Sequence, residues 1–221
     1  IGLLAEYERG WKVTEAMPHT LLGPNSHRDY FAIAFDQQVA LDRLNDFFDK
    51  SISDADIRDR YSLEDNRDWK LAQARRQPRP SEPQPCIYRP FDTRWMLYGG
   101  YAFDYHRPEI NDHMLFANLA LITTKQTKEN FSVFVTNLLA GQHKLATPYD
   151  GSYLSPLYLY PRPSEDLLEA AETEKRPNLA PEFVAALQAA QGCTVSPEDT
   201  LAYLYAVLYT PGYRTRYADF L

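Results

Sequence analysis

The chain has 221 residues, 44% hydrophobic and 24% charged, with a formal charge of −7 and a pI near 5.3. That length suits one large domain, or a core with an appendage, and the composition excludes a wholly disordered chain. The acidic balance argues against a generic basic nucleic-acid binder, and two cysteines cannot build a disulfide scaffold or a four-cysteine zinc site.

Residues 12–17 and 30–35 read as short strands, with Gly23-Pro24-Asn25 as the loop between them. Leu41, Leu44, Phe47 and Phe48 recur at helical spacing, which predicts an amphipathic helix over about 39–50. Ser53 followed by Asp54 and Asp56 reads as an N-cap with acids in the first turn, so a short helix should run to about Tyr61. A further helix is expected over about 66–76, before Pro78, Pro80, Pro83 and Pro85 interrupt regular structure.

Strands are expected at 87–88 and 94–97 around a bend centred on Pro90, with Gly99-Gly100 as a turn. Pro108 opens a helix to about Phe116. Residues 119–124 and 131–137 are the clearest strands, joined by a polar loop, and 153–160 reads as another. Beyond 163 the pattern turns helical, over 164–172, 181–191 (ended by Gly192) and a stretch capped by Ser196-Pro197-Glu198-Asp199. Pro211-Gly212 closes that helix and 213–221 starts another. The expected fold is α+β, a mixed sheet body over 1–163 followed by a helical section over 164–221.

Charge is unevenly spread. Residues 1–69 carry 8 basic and 14 acidic side chains, 70–144 carry 10 and 6, and 145–221 carry 5 and 10. The middle third is therefore net basic between acidic flanks. It interleaves Tyr88, Phe91, Trp95, Tyr98, Tyr101, Phe103 and Tyr105 with arginines, a pattern that suits phosphates and bases or, equally, a solvated strand face over an aromatic core.

No phosphate-binding loop, dinucleotide fingerprint or nucleophile elbow appears. The five histidines form no close helical pair, so no metal site is expected. Cys86 and Cys193 read as small buried hydrophobes rather than nucleophiles. Asp92 and Asp104 are as suited to holding Arg89, Arg94 or Arg107 as to catalysis. No apolar run reaches membrane-spanning length and no signal peptide opens the chain, so a cytoplasmic setting is expected. The missing initiator Met and the aromatic-rich segment 213–221 read as an excised part of a longer protein.

Tyr88-Arg89-Pro90-Phe91-Asp92-Thr93-Arg94 combines a rigid bend, two guanidiniums and a carboxylate. It resembles an element in the C-terminal region of Type ISP restriction-modification enzymes, which join nuclease, translocase, adenine methyltransferase and target recognition in one chain. Arg28-Asp29-Tyr30-Phe31 with Phe35-Asp36 resembles that family's first strand segment, and Asn118-Leu119-Ala120-Leu121 with 131–135 its central strand pair. Residues 155–161, and 197–208 with 213–221, resemble its later signatures, in the family's order. Arg107-Pro108-Glu109 departs from the two arginines that relatives often carry around that proline.

The resemblance implies a non-catalytic module that recognises double-stranded DNA, with catalysis left to a parent restriction endonuclease and N6-adenine methyltransferase. S-adenosylmethionine, ATP and Mg2+ would belong to that parent, and the methyltransferase and other domains of the same chain would be partners. Candidate DNA contacts come from the basic middle third and its loops: Arg75, Arg76, Arg79, Arg89, Arg94, Arg107, Lys125, Gln126, Lys128, Gln142, His143 and Lys144. Each has a structural alternative as a paired or solvated side chain. The competing readings are a protein-interaction or scaffold domain, with the aromatic middle third as its surface, and a small hydrolase whose site the sequence hides.

Overall fold

The computed structural model describes residues 2–125, 127, 131–147, 151–161 and 174–221. It opens with helices α1 (Gly2–Glu8) and α2 (Val13–Ala16). The second stands where a strand was expected, because the Lys12 amide donates to Glu15 Oε2 at 2.9 Å and so caps a helical turn. After β1 (Leu21–Leu22), the strand expected over 30–35 is split into α3 (Asp29–Ala32) and β2 (Ile33–Ala34). The Arg28 carbonyl accepts from the Phe31 and Ala32 amides, and Ser26 Oγ donates to Asp29 Oδ1 at 2.5 Å. Short polar side chains there build a turn before the chain extends.

Helix α4 (Gln37–Phe48) follows the expected periodicity and buries Ala40, Leu44 and Phe47. Helix α5 (Asp54–Tyr61) is capped by Ser53, whose Oγ accepts from the Asp56 amide at 3.1 Å. The helix expected over 66–76 shrinks to α6 (Leu71–Ala74). Upstream of it the Asn66 carboxamide accepts from the Asp68 and Trp69 amides, an Asx turn that competes with helix.

Strands β3 (Gln84–Arg89) and β4 (Asp92–Met96) form a hairpin whose loop is Pro90-Phe91. Pro85 lies inside β3, contrary to the expectation that the proline cluster excludes structure. It sits before Cys86, where β3 gains its second neighbour, so at Pro85 β3 is still the edge of its sheet, where a proline is tolerated. Helix α7 (Pro108–Asn111) opens on its proline and tightens into a 3-10 turn, Asp112–Leu115.

Strands β5 (Ala120–Thr123), β6 (Phe134–Thr136), β7 (Leu139–Ala140), β8 (Tyr153–Pro156), β9 (Tyr158–Leu159) and β10 (Arg176–Pro177) complete the sheets. One antiparallel sheet runs β1-β8-β5-β6, and another sheet runs β2-β4-β3-β7 with β3 and β7 parallel. The strand expected over 153–160 breaks at buried Leu157 and feeds two sheets, since β9 pairs with β10. The helix expected over 164–172 lies outside the described residues. Helices α8 (Pro181–Gln191), α9 (Pro197–Tyr209) and α10 (Pro211–Arg216) close the chain. Gly192 takes φ +70° behind α8, and Ser196 with Asp199 forms a reciprocal cap on α9.

The architecture is α+β. Strand β5 is buried on both faces and joins two cores. Ala120 and Ile122 face the larger core around Phe31, Phe47 and Met96, while Leu121 faces a smaller one with Leu201, Leu204 and Leu208. No helix among the described residues is long and apolar enough to cross a membrane.

Candidate functional site

A cleft of 290 Å³ opens between the hairpin β3–β4, the loop 23–29 and the segment after β7. Asn25, His27, Asp29, Tyr88, Arg89, Gln142 and His143 line it. Three features hold these separate segments together. The Gln142 amide donates to the Pro24 carbonyl at 3.1 Å. Gly23 packs so close to the Ala140 carbonyl that a Cβ would collide with it. Below them, Asp104 anchors the loop 23–29.

Asp104 is nearly inaccessible. Arg28 approaches its Oδ1 at 2.6 Å, while His27 Nδ1 and Asn66 Nδ2 meet Oδ2 at 2.5 and 2.8 Å. Burial raises its carboxyl pKa, but the hydrogen bonds from His27, Arg28 and Asn66 outweigh this and hold it below its ordinary value. Arg28 is itself buried, lies 4.0 Å from the Trp69 ring centroid and donates to the Ala102 carbonyl. Asp104 thus holds Arg28 and His27, not the arginines at 89, 94 and 107 to which the sequence suggested it. Asp92 does hold Arg94, through contacts of 2.8 to 3.1 Å.

Arg89 is different. Its guanidinium lies 3.7 Å from the Tyr88 ring centroid and donates once, to the Tyr88 carbonyl at 2.6 Å. Among the described residues no carboxylate pairs with it, and it lines the cleft. Beside it Gln142 Oε1 is buried without a hydrogen-bond partner. Desolvation of the His143 ring pushes its pKa below the ordinary histidine value, which favours the neutral ring with one donor and one acceptor. Lys144 follows, exposed and at φ +62°.

The other candidates scatter. Arg75 is buried: it donates to the Phe47, Asp49 and Ile52 carbonyls and meets Asp54 Oδ1 at 2.5 Å. Its placement among DNA contacts is corrected, because its guanidinium is enclosed by protein ligands. Arg76 is exposed on a second cleft of 260 Å³ with Lys50 and Asp54, and Arg79 bonds Asn45. Arg107, half-buried at φ +49°, donates to the Gly23 carbonyl at 3.2 Å. Lys125 is exposed, 4.5 Å from the ring centroid of Tyr153, which pairs with Leu22 at the entry to the loop 23–29. Gln126 and Lys128 lie outside the described residues.

Sequence reasoning missed Asn25 and His27. Their only signal was the Gly23-Pro24 turn, which marks a loop but not what it faces. Cys86 is buried and its thiol is pushed up to about 12, whereas Cys193, expected buried, is exposed.

The model of the Type ISP C-terminal specificity domain matches residues 15–221. The chain belongs to that family. Among curated proteins none matches it. Three solved structures share the fold of this specificity domain. A DrdV–DNA complex superposes with a TM-score of 0.66 at 21% identity, covering 95% of this chain and 21% of that one. The ATP-dependent Type ISP restriction-modification enzyme LlaBIII bound to DNA gives 0.62 at 20%, covering 96% and 14%. A nuclease-deletion mutant of the Type ISP enzyme LlaGI, in complex with a DNA substrate mimic, gives 0.58 at 17%, covering 95% and 16%. The specificity domain therefore spans about a fifth or less of each of these chains.

Proposed function

We propose that this specificity domain recognises a DNA sequence and positions duplex DNA for adenine methylation and cleavage by other domains of a parent chain. The observation that carries the reading is the cleft itself. Arg89 at the end of β3, paired with no carboxylate among the described residues, converges there with Gln142 and His143 from the segment after β7, a loop of the kind where binding residues concentrate. Arginine can grip guanine O6 and N7 with two hydrogen bonds. Arg89 and His143 are assigned to base edges, and Lys125, Lys144 and Arg107 to phosphates, which set register without reading sequence.

S-adenosylmethionine, ATP and Mg2+ are assigned to the other domains. The cleft does not fit a metal, because its carboxylate, Asp29, is already held by Ser26 and by the Tyr88 hydroxyl at 3.2 Å. Family membership and the DNA-bound relatives support the reading. Net acidity sets its strength: the isolated domain should bind DNA modestly, with surfaces outside the cleft repelling phosphate. Gel-shift titration of the 221-residue chain on random duplex DNA tests it. Affinity should fall linearly on a log–log plot against salt. No binding at low salt would refute the proposal.

A further inference from the structure

Phe91 sits at the tip of the β3–β4 hairpin with 96% of its surface exposed, more than any other large hydrophobic side chain among the described residues. Its backbone takes φ +63°, a region that bulky side chains avoid. The turn explains why. Pro90 cannot take positive φ, so the reverse bend falls on the second loop residue, a position that ordinarily selects glycine or asparagine. A register shift between Ile87 and Arg89 adds a bulge at the base of the tip. Phe91 therefore strains the backbone and wets an aromatic ring. Among the described residues its one ring contact is edge-on to Phe134, with centroids 6.4 Å apart.

The surroundings say what the ring could meet. Arg89 precedes the turn without a carboxylate partner among the described residues, and the carboxylate that follows it, Asp92, is neutralised by Arg94. Both guanidiniums lie over the Tyr88 ring, at 3.7 and 4.1 Å, which fixes them on either side of the tip's base. An aromatic point on a cationic base complements stacked bases between phosphates better than it complements an apolar protein pocket.

We infer that Phe91 is a wedge that inserts between base pairs of the duplex held against the cleft. The inference rests on the DNA-recognition reading and adds a deformation step to it. Insertion unstacks and kinks a base step and so changes the twist of the helix, and comparison with a variant lacking the ring separates this from twist changes made by groove contact. Stacking is tolerant of sequence, because every base has a π-face, so the effect is measurable on any plasmid.

The experiment relaxes a circular plasmid with topoisomerase in the presence of the 221-residue chain, then strips the protein and resolves topoisomers. Wild type, Phe91→Gly and Phe91→Trp are compared at matched occupancy, set by filter binding. Wild type and Phe91→Trp should shift the distribution, and Phe91→Gly should reduce the shift at least twofold. The melting temperature of Phe91→Gly should stay equal or rise, since glycine accepts the positive φ. An unchanged shift in Phe91→Gly overturns the wedge alone, as would be seen if the ring docks a protein instead. Failure of wild type to bind the plasmid at low salt overturns the recognition reading and the wedge with it.

Discussion

Arg75 and Arg89 come from the same basic stretch of sequence, and each lines a cleft of similar size, 260 and 290 Å³. At the corner between α4, α5 and α6, three backbone carbonyls and Asp54 close around Arg75, and Lys50 Nζ caps the Arg75 carbonyl at 2.5 Å. At the cleft by the hairpin, Arg89 has one carbonyl and one aromatic face. The first guanidinium organises a fold, and the second is left with donors for a ligand. A charge in the sequence thus becomes a binding candidate only after its protein ligands are counted.

The variant with the largest expected effect tests how firmly the cleft is founded. Asp104→Asn should destabilise by about 3–5 kcal/mol, because it leaves Arg28 buried without its counter-charge. Denaturant unfolding measures this. The folded Asp104 pKa is depressed, so its contribution is complete above the ordinary value of 3.8 and is lost as pH falls through the lower folded value. Wild type should therefore lose stability more steeply than Asp104→Asn below pH 3.8. Parallel acid limbs would show that the loop 23–29 has another anchor.

Arg75→Ala should follow, at on the order of 3 kcal/mol, from carbonyls left unsatisfied in a buried corner. DNA affinity of the folded variant should match wild type. Lost affinity at unchanged stability would reverse the assignment of the two clefts. Arg89→Ala should do the opposite, leaving unfolding within about 1 kcal/mol and lowering DNA affinity about tenfold or more. Lys125→Ala should be mildest, a uniform weakening across DNA sequences with no change in preference.

The same contrast explains what the sequence could show. Helices 37–48, 54–61, 181–191 and 197–209 were readable because their caps and periodicity are local. Residues 12–17 were misread as a strand because one capped turn decides a four-residue element, and of 30–35 only 33–34 extend, after a polar turn around Ser26 and Asp29. In the site, Arg89 was readable from the basic middle stretch, and Gln142 and His143 as polar loop residues. His27 was not, since its partner Asp104 lies 77 positions away. Nor was the fate of Arg75, whose ligands lie 21 to 28 residues upstream and converge only through tertiary packing.

The measurement that decides between the two clefts is the salt dependence of DNA binding, by fluorescence anisotropy on a duplex, for wild type, Arg89→Ala and Arg76→Ala. Arg76 is an exposed cation of the corner cleft, so it shares Arg89's charge but not its setting. The account predicts that Arg89→Ala lowers the log–log slope by about one while Arg76→Ala leaves it unchanged, with both melting like wild type. A flattened slope in Arg76→Ala with none in Arg89→Ala would contradict it.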